Sequence, residues 1–473
     1  MLKDLLKEGG LYTFANIITR GISLLLIPLY TSEFIPEDYG VIDVLSVFGL
    51  ILTNIITLQL NQSIGRYIAD KSISKEEKIN LVSTGFLVVF SILTLCGVII
   101  YFYPNIVSNL LSNEELVIAP KIVILAILAT LLGSLFHYIG AHLRFLRMVK
   151  QFSILSFLFA IINIGLTVYF VLIMRTGFQG IYYSAIITSP FFVVISIYLI
   201  RDYIKIKFQF DSLKKLLAYS SPLIPASLAY LAMNSLDRYY IKEMLDFEEL
   251  GLYGVAFKFS TIITLVISGF TMATSPIIFG SYKDKKLKSE LESSFNFFFL
   301  LGSLGLLGLS LFSEETLIIF TNESYYQAYT VMPILYASVL VTGLGMFSPG
   351  INIAKKTKIS LLVVTICAIV NAILNYFLIG FFELNGAAIA TLSSMALYYL
   401  VYFKVSKKYF PISLQLKRKA PLFLLMVSFI ITGCYLIDFG LFWNIVIKVV
   451  FVLIYAIILY LYFIKPGLVK IKR

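Results

Sequence analysis

This chain has little charge. Of its 473 residues 14% are Asp, Glu, Lys or Arg, while 59% are hydrophobic. A soluble domain carries about a quarter of its residues as charges, so a soluble core under a polar surface is excluded, and the mean hydropathy of +0.92 agrees. Cysteine is scarce as well. Cys96, Cys367 and Cys434 each lie inside an apolar run with no neighbour at metal or redox spacing, which excludes a disulfide framework and leaves them as small core residues. The two histidines, His137 and His142, have no partner at metal spacing, so no metal centre is expected. The start MLKDLLKEGG lacks a short apolar region followed by a small-residue cleavage site. No removed secretory signal is expected there, and the first apolar span belongs to the mature protein. Long polar segments are missing too: the inter-span segments reach about 15 to 20 residues, too short for a soluble domain. Any chemistry must take place within or beside the membrane.

What is present is a succession of apolar runs. A bilayer core takes about 20 apolar residues as a helix. Runs of that kind occur at roughly 10–31, 41–64, 80–103, 116–139, 152–174, 178–200, 216–240, 251–279, 294–312, 330–351, 359–380, 385–403, 420–438 and 442–464, and are called spans 1 to 14. The pairs 152–200 and 359–403 are divided by very short turns. The fold class expected is therefore an all-α integral membrane protein with about 14 transmembrane helices.

The net charge of +12 does not point to nucleic acid, because the basic residues fall in short clusters between the apolar runs rather than on one soluble face. One set of connecting segments, from Lys3 and Lys7 through Arg66–Lys78, Arg144–Lys150, Arg201–Lys215, Lys283–Lys288, Lys355–Lys358 and Lys404–Lys419 to Lys465–Arg473, holds 31 of the 38 basic residues. The opposite segments hold acids such as Glu33, Glu37, Asp38, Glu114, Glu243, Glu248, Glu315 and Glu383. By the positive-inside rule both termini are cytoplasmic and the number of spans is even, which supports fourteen.

The chain also repeats itself. Tyr39-Gly40-Val41 recurs as Tyr253-Gly254-Val255, 214 residues later. The same offset carries the polar stripe Thr13, Asn16, Arg20 and Ser23 of span 1 onto Ser227, Tyr230, Asn234 and Asp237 of span 7. It carries Asn54, Thr57 and Asn61 of span 2 onto Ser268, Thr271 and Ser275 of span 8. Spacings of three and four place each set on one helix face. Further on, 163–187 resembles 371–392. These matches imply two pseudo-symmetric lobes, 1–210 (spans 1–6) and 211–410 (spans 7–12), with spans 13 and 14 appended over 411–473. Six spans separate the repeats, so they have parallel topology, a transporter signature.

Few charges lie inside the spans. Arg20 is about ten residues into span 1, about 15 Å deep, where an arginine costs at least about 2.5 kcal/mol. Either it faces a wet cavity, as its polar stripe suggests, or it is paired with an acid on another helix. Lys258 lies two turns from the outer end of span 8 and can be read as a cavity cation or as a snorkelling lysine. Asp237 and Arg238 can pair with each other or with neighbours at the outer boundary. Asp43 lies at the outer end of span 2, and Lys448 reads as a snorkelling residue on a peripheral helix. Prolines, notably Pro222, Pro225 and Pro333, allow bends in spans 7 and 10.

The stretches SSPLIPASLAYLAMNSLDRYYI, ELGLYGVAFKFS and NGAAIATLSS resemble the Wzx-type polysaccharide flippases of the multidrug/oligosaccharidyl-lipid/polysaccharide (MOP) exporter superfamily. The resemblance implies a MATE-like pair of lobes around a cationic cavity and no enzymatic activity. The implied transport is of undecaprenyl-diphosphate-linked oligosaccharide repeat units from the inner to the outer leaflet, by alternating access, for O-antigen, capsule or other surface polysaccharide. It implies a bacterial cytoplasmic-membrane location, membrane lipids around the chain, and a polysaccharide polymerase and chain-length proteins as partners. On the matching positions, Arg20 and Lys258 are the cavity cations, and Asp237 and Arg238 the Asp-Arg that ends span 7. Arg238, Asn16 and Asn234 join the substrate-binding set. No cofactor is implied; proton or sodium coupling would fall to Asp43 or Asp237. Span 2 departs from the related lipid II flippases, offering Asn54, Asn61 and Gln62 in place of arginines. Three competing readings remain at this point, one of them a lipid II flippase of the same superfamily. A cation-coupled drug exporter would want an intramembrane acid that span 1 lacks. A membrane glycan polymerase or glycosyltransferase would want a longer outer loop.

Overall fold

The computed structural model describes residues 21, 26–69, 72–146, 148–280, 286–354, 356–437 and 439–464. Among these every regular element is a helix. Ten helices are long and apolar enough to cross a membrane, or twelve if each of two bent pairs is one span. Another of the ten, Lys358–Ser406, is two spans in one: Glu383 has φ 50° and ψ −130°, and the chain reverses there. Spans 2 to 14 thus each have a helical counterpart, and span 1 lies mostly outside the described residues.

The bends fall where proline stands. Span 7 consists of Phe210–Ser220 and Leu223–Met244 at 45°, with Pro222 and Pro225 at the joint. Span 10 pairs Glu323–Thr330 with Met332–Phe347 at 57°, and Pro333 opens its second half. Without an amide hydrogen, proline cannot complete the ladder of the preceding turn, so the axis breaks where it is cheapest.

Span 2 breaks without proline. Its helix Pro36–Thr57 stops at Leu58 and Gln59, both left-handed with φ 47° and 53°, before Leu60–Ala69 resumes.

The chain divides into two compact units, Met1–Gly251 and Leu252–Arg473. In the first, spans 4 (Pro120–Phe145) and 6 (Gln179–Leu199) form the centre, with Phe136 stacked on Phe159 at 4.5 Å and Phe192 edge-on to both. Span 7 packs along span 2 within this unit. Gly40 of the first Tyr-Gly motif and Gly251, which precedes the second, make that region close-packed. A Cβ on Gly40 would run into the Phe247 carbonyl, and one on Gly251 into that of Pro36, so two helix starts touch backbone to backbone where only glycine fits.

In the second unit a core of Leu287, Leu291, Phe295, Phe298, Phe347 and Phe410 holds spans 9 and 10 to the segment before span 13. The sequence likeness between 163–187 and 371–392 has a structural counterpart in two hairpins. Spans 5 and 6 turn at Arg175 and spans 11 and 12 at Glu383, each with φ 50°. Across the first hairpin the Thr167 and Ser184 hydroxyls lie 2.7 Å apart; across the second, Asn371 Nδ2 donates to Ser394 Oγ at 2.9 Å.

Lys448 does not snorkel, contrary to the expectation. It is 4% exposed, and its Nζ lies 2.6 Å from Glu315 Oε1 and 4.0 Å from Glu314 Oε2. A carboxylate within reach is cheaper for the ammonium than stretching a side chain to the interface.

Candidate functional site: a buried charge cluster on spans 2 and 7

Span 7 puts Asn234, Arg238 and Lys242 four residues apart on one helix face, with Asp237 beside them. Span 2 brings Asp43 to the same place from 195 residues away. Arg238 Nη1 donates to Asp237 Oδ1 and to the Asn234 carbonyl, both at 2.8 Å, and Nε donates to Asp43 Oδ2 at 3.3 Å. Asp237 also accepts from the Arg238 backbone N–H at 3.0 Å. Arg238 and Asp237 are buried, at 3% and 1% exposure, whereas the Asp43 side chain keeps 19%. A planar guanidinium serves two carboxylates and a carbonyl in one plane, which an ammonium cannot do.

One turn on, Lys242 is buried and its Nζ donates to the carbonyls of Ser112 at 2.9 Å and Leu110 at 3.3 Å while pairing with Glu243 at 2.6 Å. Those carbonyls close the short helix Pro104–Leu111, where a cation is favoured by the unpaired carbonyls and the helix dipole. Asn113 Nδ2 returns a bond to the Lys242 carbonyl at 3.2 Å. The loop after span 3 is thereby fastened to span 7. Beside the cluster opens a largely apolar cavity of about 360 Å³, walled by Val44, Phe48, Leu228, Leu231 and Leu236 with Arg238 at its edge.

The residues expected to act are distributed as follows. Asp43, Asn234, Asp237 and Arg238 meet in this one cluster. Asn234 also donates from Nδ2 to the Tyr230 carbonyl at 2.7 Å. Lys258 belongs to the second unit. It is half-buried near the end of the helix Phe247–Ser260, and its carbonyl accepts from Thr261 Oγ1 at 2.7 Å where the span is interrupted before Ile262–Gly280. Arg20 and Asn16 lie outside the described residues. Among the described residues no three His, Cys, Asp or Glu side chains converge to hold a metal ion. Lys242 is not among the residues expected from the sequence; the signal for it is its spacing of four from Arg238.

A family model described as "Polysaccharide biosynthesis protein" matches residues 5–282, and a second, MatE, matches 222–377. Among solved structures, a lipid II flippase, MurJ, in an inward closed conformation aligns with TM-score 0.76 and 18% identity over 96% of this chain and 99% of that one. An inward-facing multidrug resistance MATE family transporter of the MOP superfamily aligns with TM-score 0.69 and 14% identity, over 82% and 94%. A MOP superfamily transporter from Pyrococcus furiosus, whose binding pocket is described as of reverse polarity, aligns with TM-score 0.59 and 15% identity, over 84% and 94%. At such identities the likeness establishes the fold alone, the one these transporters and that flippase share. No curated protein sequence gives a significant match.

Proposed function

Because this chain belongs to the polysaccharide biosynthesis protein family, whose model covers residues 5–282, we propose that it is a flippase for undecaprenyl-diphosphate-linked oligosaccharide repeat units. It would carry them from the inner to the outer leaflet of the bacterial cytoplasmic membrane for O-antigen, capsule or another surface polysaccharide. One observation carries the choice of an anionic cargo. Asp43 and Asp237 are engaged by Arg238, and Glu315 by Lys448, so these carboxylates within or at the ends of the spans already serve the protein's own cations. A carrier of cationic drugs needs an acid to receive its cargo.

Arg20 receives the diphosphate in this reading, since a guanidinium stays charged and matches phosphate oxygens in pairs. Asn16, Asn234, Arg238 and Lys258 complete the polar set. An inside-negative potential favours outward movement of each negative charge by about 2.3 kcal/mol per 100 mV. Proton or sodium uptake at Asp43 or Asp237 would loosen Arg238 and is the proposed route of coupling. A polysaccharide polymerase and chain-length proteins are the proposed partners.

The test is complementation of surface glycan in a strain lacking its own flippase. Arg20→Lys should retain part of the activity and Arg20→Ala none; full activity of the alanine variant removes Arg20 from the mechanism. The MatE match over 222–377 favours a second reading, a cation-coupled exporter. Uptake of a cationic dye into everted vesicles would establish it.

A further inference from the structure

The interruption of span 2 is strained, and the strain organises a row of amides. Leu58 and Gln59 are consecutive left-handed residues, neither Gly nor Asn, a conformation that costs about 1–2 kcal/mol for each. Asn61 Oδ1, two residues past the turn, is buried and accepts no hydrogen bond, a further cost of about 1–3 kcal/mol. Such costs persist where the surroundings over-determine the backbone, and they mark sites of use.

The use is visible in the side chains. On an unbroken helix Asn54 and Gln59 would point about 140° apart. The left-handed turn brings them together. Gln59 Nε2 donates to Asn54 Oδ1 at 2.9 Å, Gln62 Nε2 donates to Gln59 Oε1 at 2.8 Å, and Asn54 Nδ2 donates to the Leu50 carbonyl at 3.0 Å. Ser63 Oγ holds the far side of the turn on the Leu216 carbonyl at 3.0 Å. Three primary amides thus stand in a row, with Gln59 buried, Asn54 half-buried and Gln62 exposed, inside an apolar span that ends near Arg66. The amides satisfy one another along the row, and its exposed end at Gln62 is the part open to water or a polar ligand.

The row has no formal charge, which suits it poorly to phosphate. An amide both donates and accepts, as does a sugar hydroxyl, and with Asn54 Oδ1 and Gln59 Oε1 accepting within the row, Gln62 at its exposed end is the amide placed to exchange hydrogen bonds with vicinal hydroxyls in a cooperative pattern. We propose that the amide row Asn54–Gln59–Gln62, shaped by the left-handed turn at Leu58–Gln59, is a subsite for hydroxyl groups of the saccharide borne by the lipid-linked cargo. This inference rests on the flippase reading and adds to it a place where the sugar, rather than the diphosphate, is sensed.

The experiment compares binding of two lipids to the full-length protein in nanodiscs by native mass spectrometry: undecaprenyl diphosphate carrying one N-acetylhexosamine, and undecaprenyl diphosphate alone. The wild type should prefer the glycosylated lipid by about tenfold, the worth of one or two neutral hydrogen bonds. Gln62→Leu should erase that preference and leave binding of the bare lipid unchanged; Gln62→Met serves where the leucine variant does not accumulate. Leu58→Gly, which keeps the amides and relaxes the backbone, should retain the preference. Equal binding of both lipids by the wild type, or an undiminished preference in Gln62→Leu, overturns the proposal while leaving the flippase reading standing. Binding of neither lipid defeats that reading and this inference with it. A sodium requirement lost in Gln62→Leu, with no sugar preference in the wild type, reassigns the row to a cation and overturns the proposal.

Discussion

Lys448 Nζ lies 2.6 Å from Glu315 Oε1, joining span 14 to the short helix Ser313–Phe320 that follows span 9. The pair is largely buried, with side-chain exposures of 5% and 13%, so each ion depends on the other. Glu315→Leu should lower stability by about 3 kcal/mol because it strands the ammonium. Adding Lys448→Met should recover most of that loss. Thermal unfolding of the purified variants decides it: a double variant as unstable as Glu315→Leu would show that packing, not the charge, is responsible.

Arg238 is bound through two faces of its guanidinium, Nε to Asp43 and Nη1 to Asp237 and the Asn234 carbonyl. Arg238→Lys keeps the charge and loses the fork, and should cost about 1–3 kcal/mol. Arg238→Ala leaves carboxylates unpaired in a buried site and should cost about 3–5 kcal/mol. Equal stability of the lysine variant and the wild type in the same unfolding measurement would mean that the guanidinium's reach to two separate carboxylates contributes nothing.

The features legible in the sequence were those with a local cause. Apolar runs of bilayer length become helices because their backbone has no other partner in hydrocarbon. Pro222 and Pro333 bend spans 7 and 10 because the missing amide hydrogen acts within one turn. The likeness of 163–187 to 371–392 reflects two hairpins of one design, turned at Arg175 and Glu383. Features with a distant cause were not legible. Lys448 and Glu315 are 133 residues apart, and Asp43 and Arg238 are 195 apart, with nothing in one sequence to join them. The left-handed turn at Leu58–Gln59 has no glycine or proline to announce it: leucine and glutamine are good helix formers, and tertiary bonds such as Ser63 to Leu216 override that preference.

The contact between Gly251 and Pro36 should tolerate no side chain. A methyl at Gly251 would lie on the Pro36 carbonyl, which is backbone and cannot rotate aside. Gly251→Ala should therefore force the two helix starts apart and cost about 1–3 kcal/mol or more. Fluorescence-detected size exclusion of a tagged variant reads the loss. A monodisperse peak at the wild-type yield and unfolding temperature would show that the helices part without cost.

Leu58 and Leu60 are two residues apart and should respond oppositely to glycine. Leu58 is half-buried with φ 47°, so glycine removes about 1–2 kcal/mol of backbone strain, against which stand the lost contacts and about 0.5–1 kcal/mol of chain entropy. The net change should be near zero. Leu60 begins the next helix with 0% exposure, so Leu60→Gly loses a buried side chain and gains flexibility where none is wanted, a cost of about 3–5 kcal/mol. Unfolding temperatures of the two variants in the same detergent should differ by several degrees, with Leu58→Gly close to the wild type. Equal destabilisation would mean that the turn at Leu58 stores no strain for glycine to release.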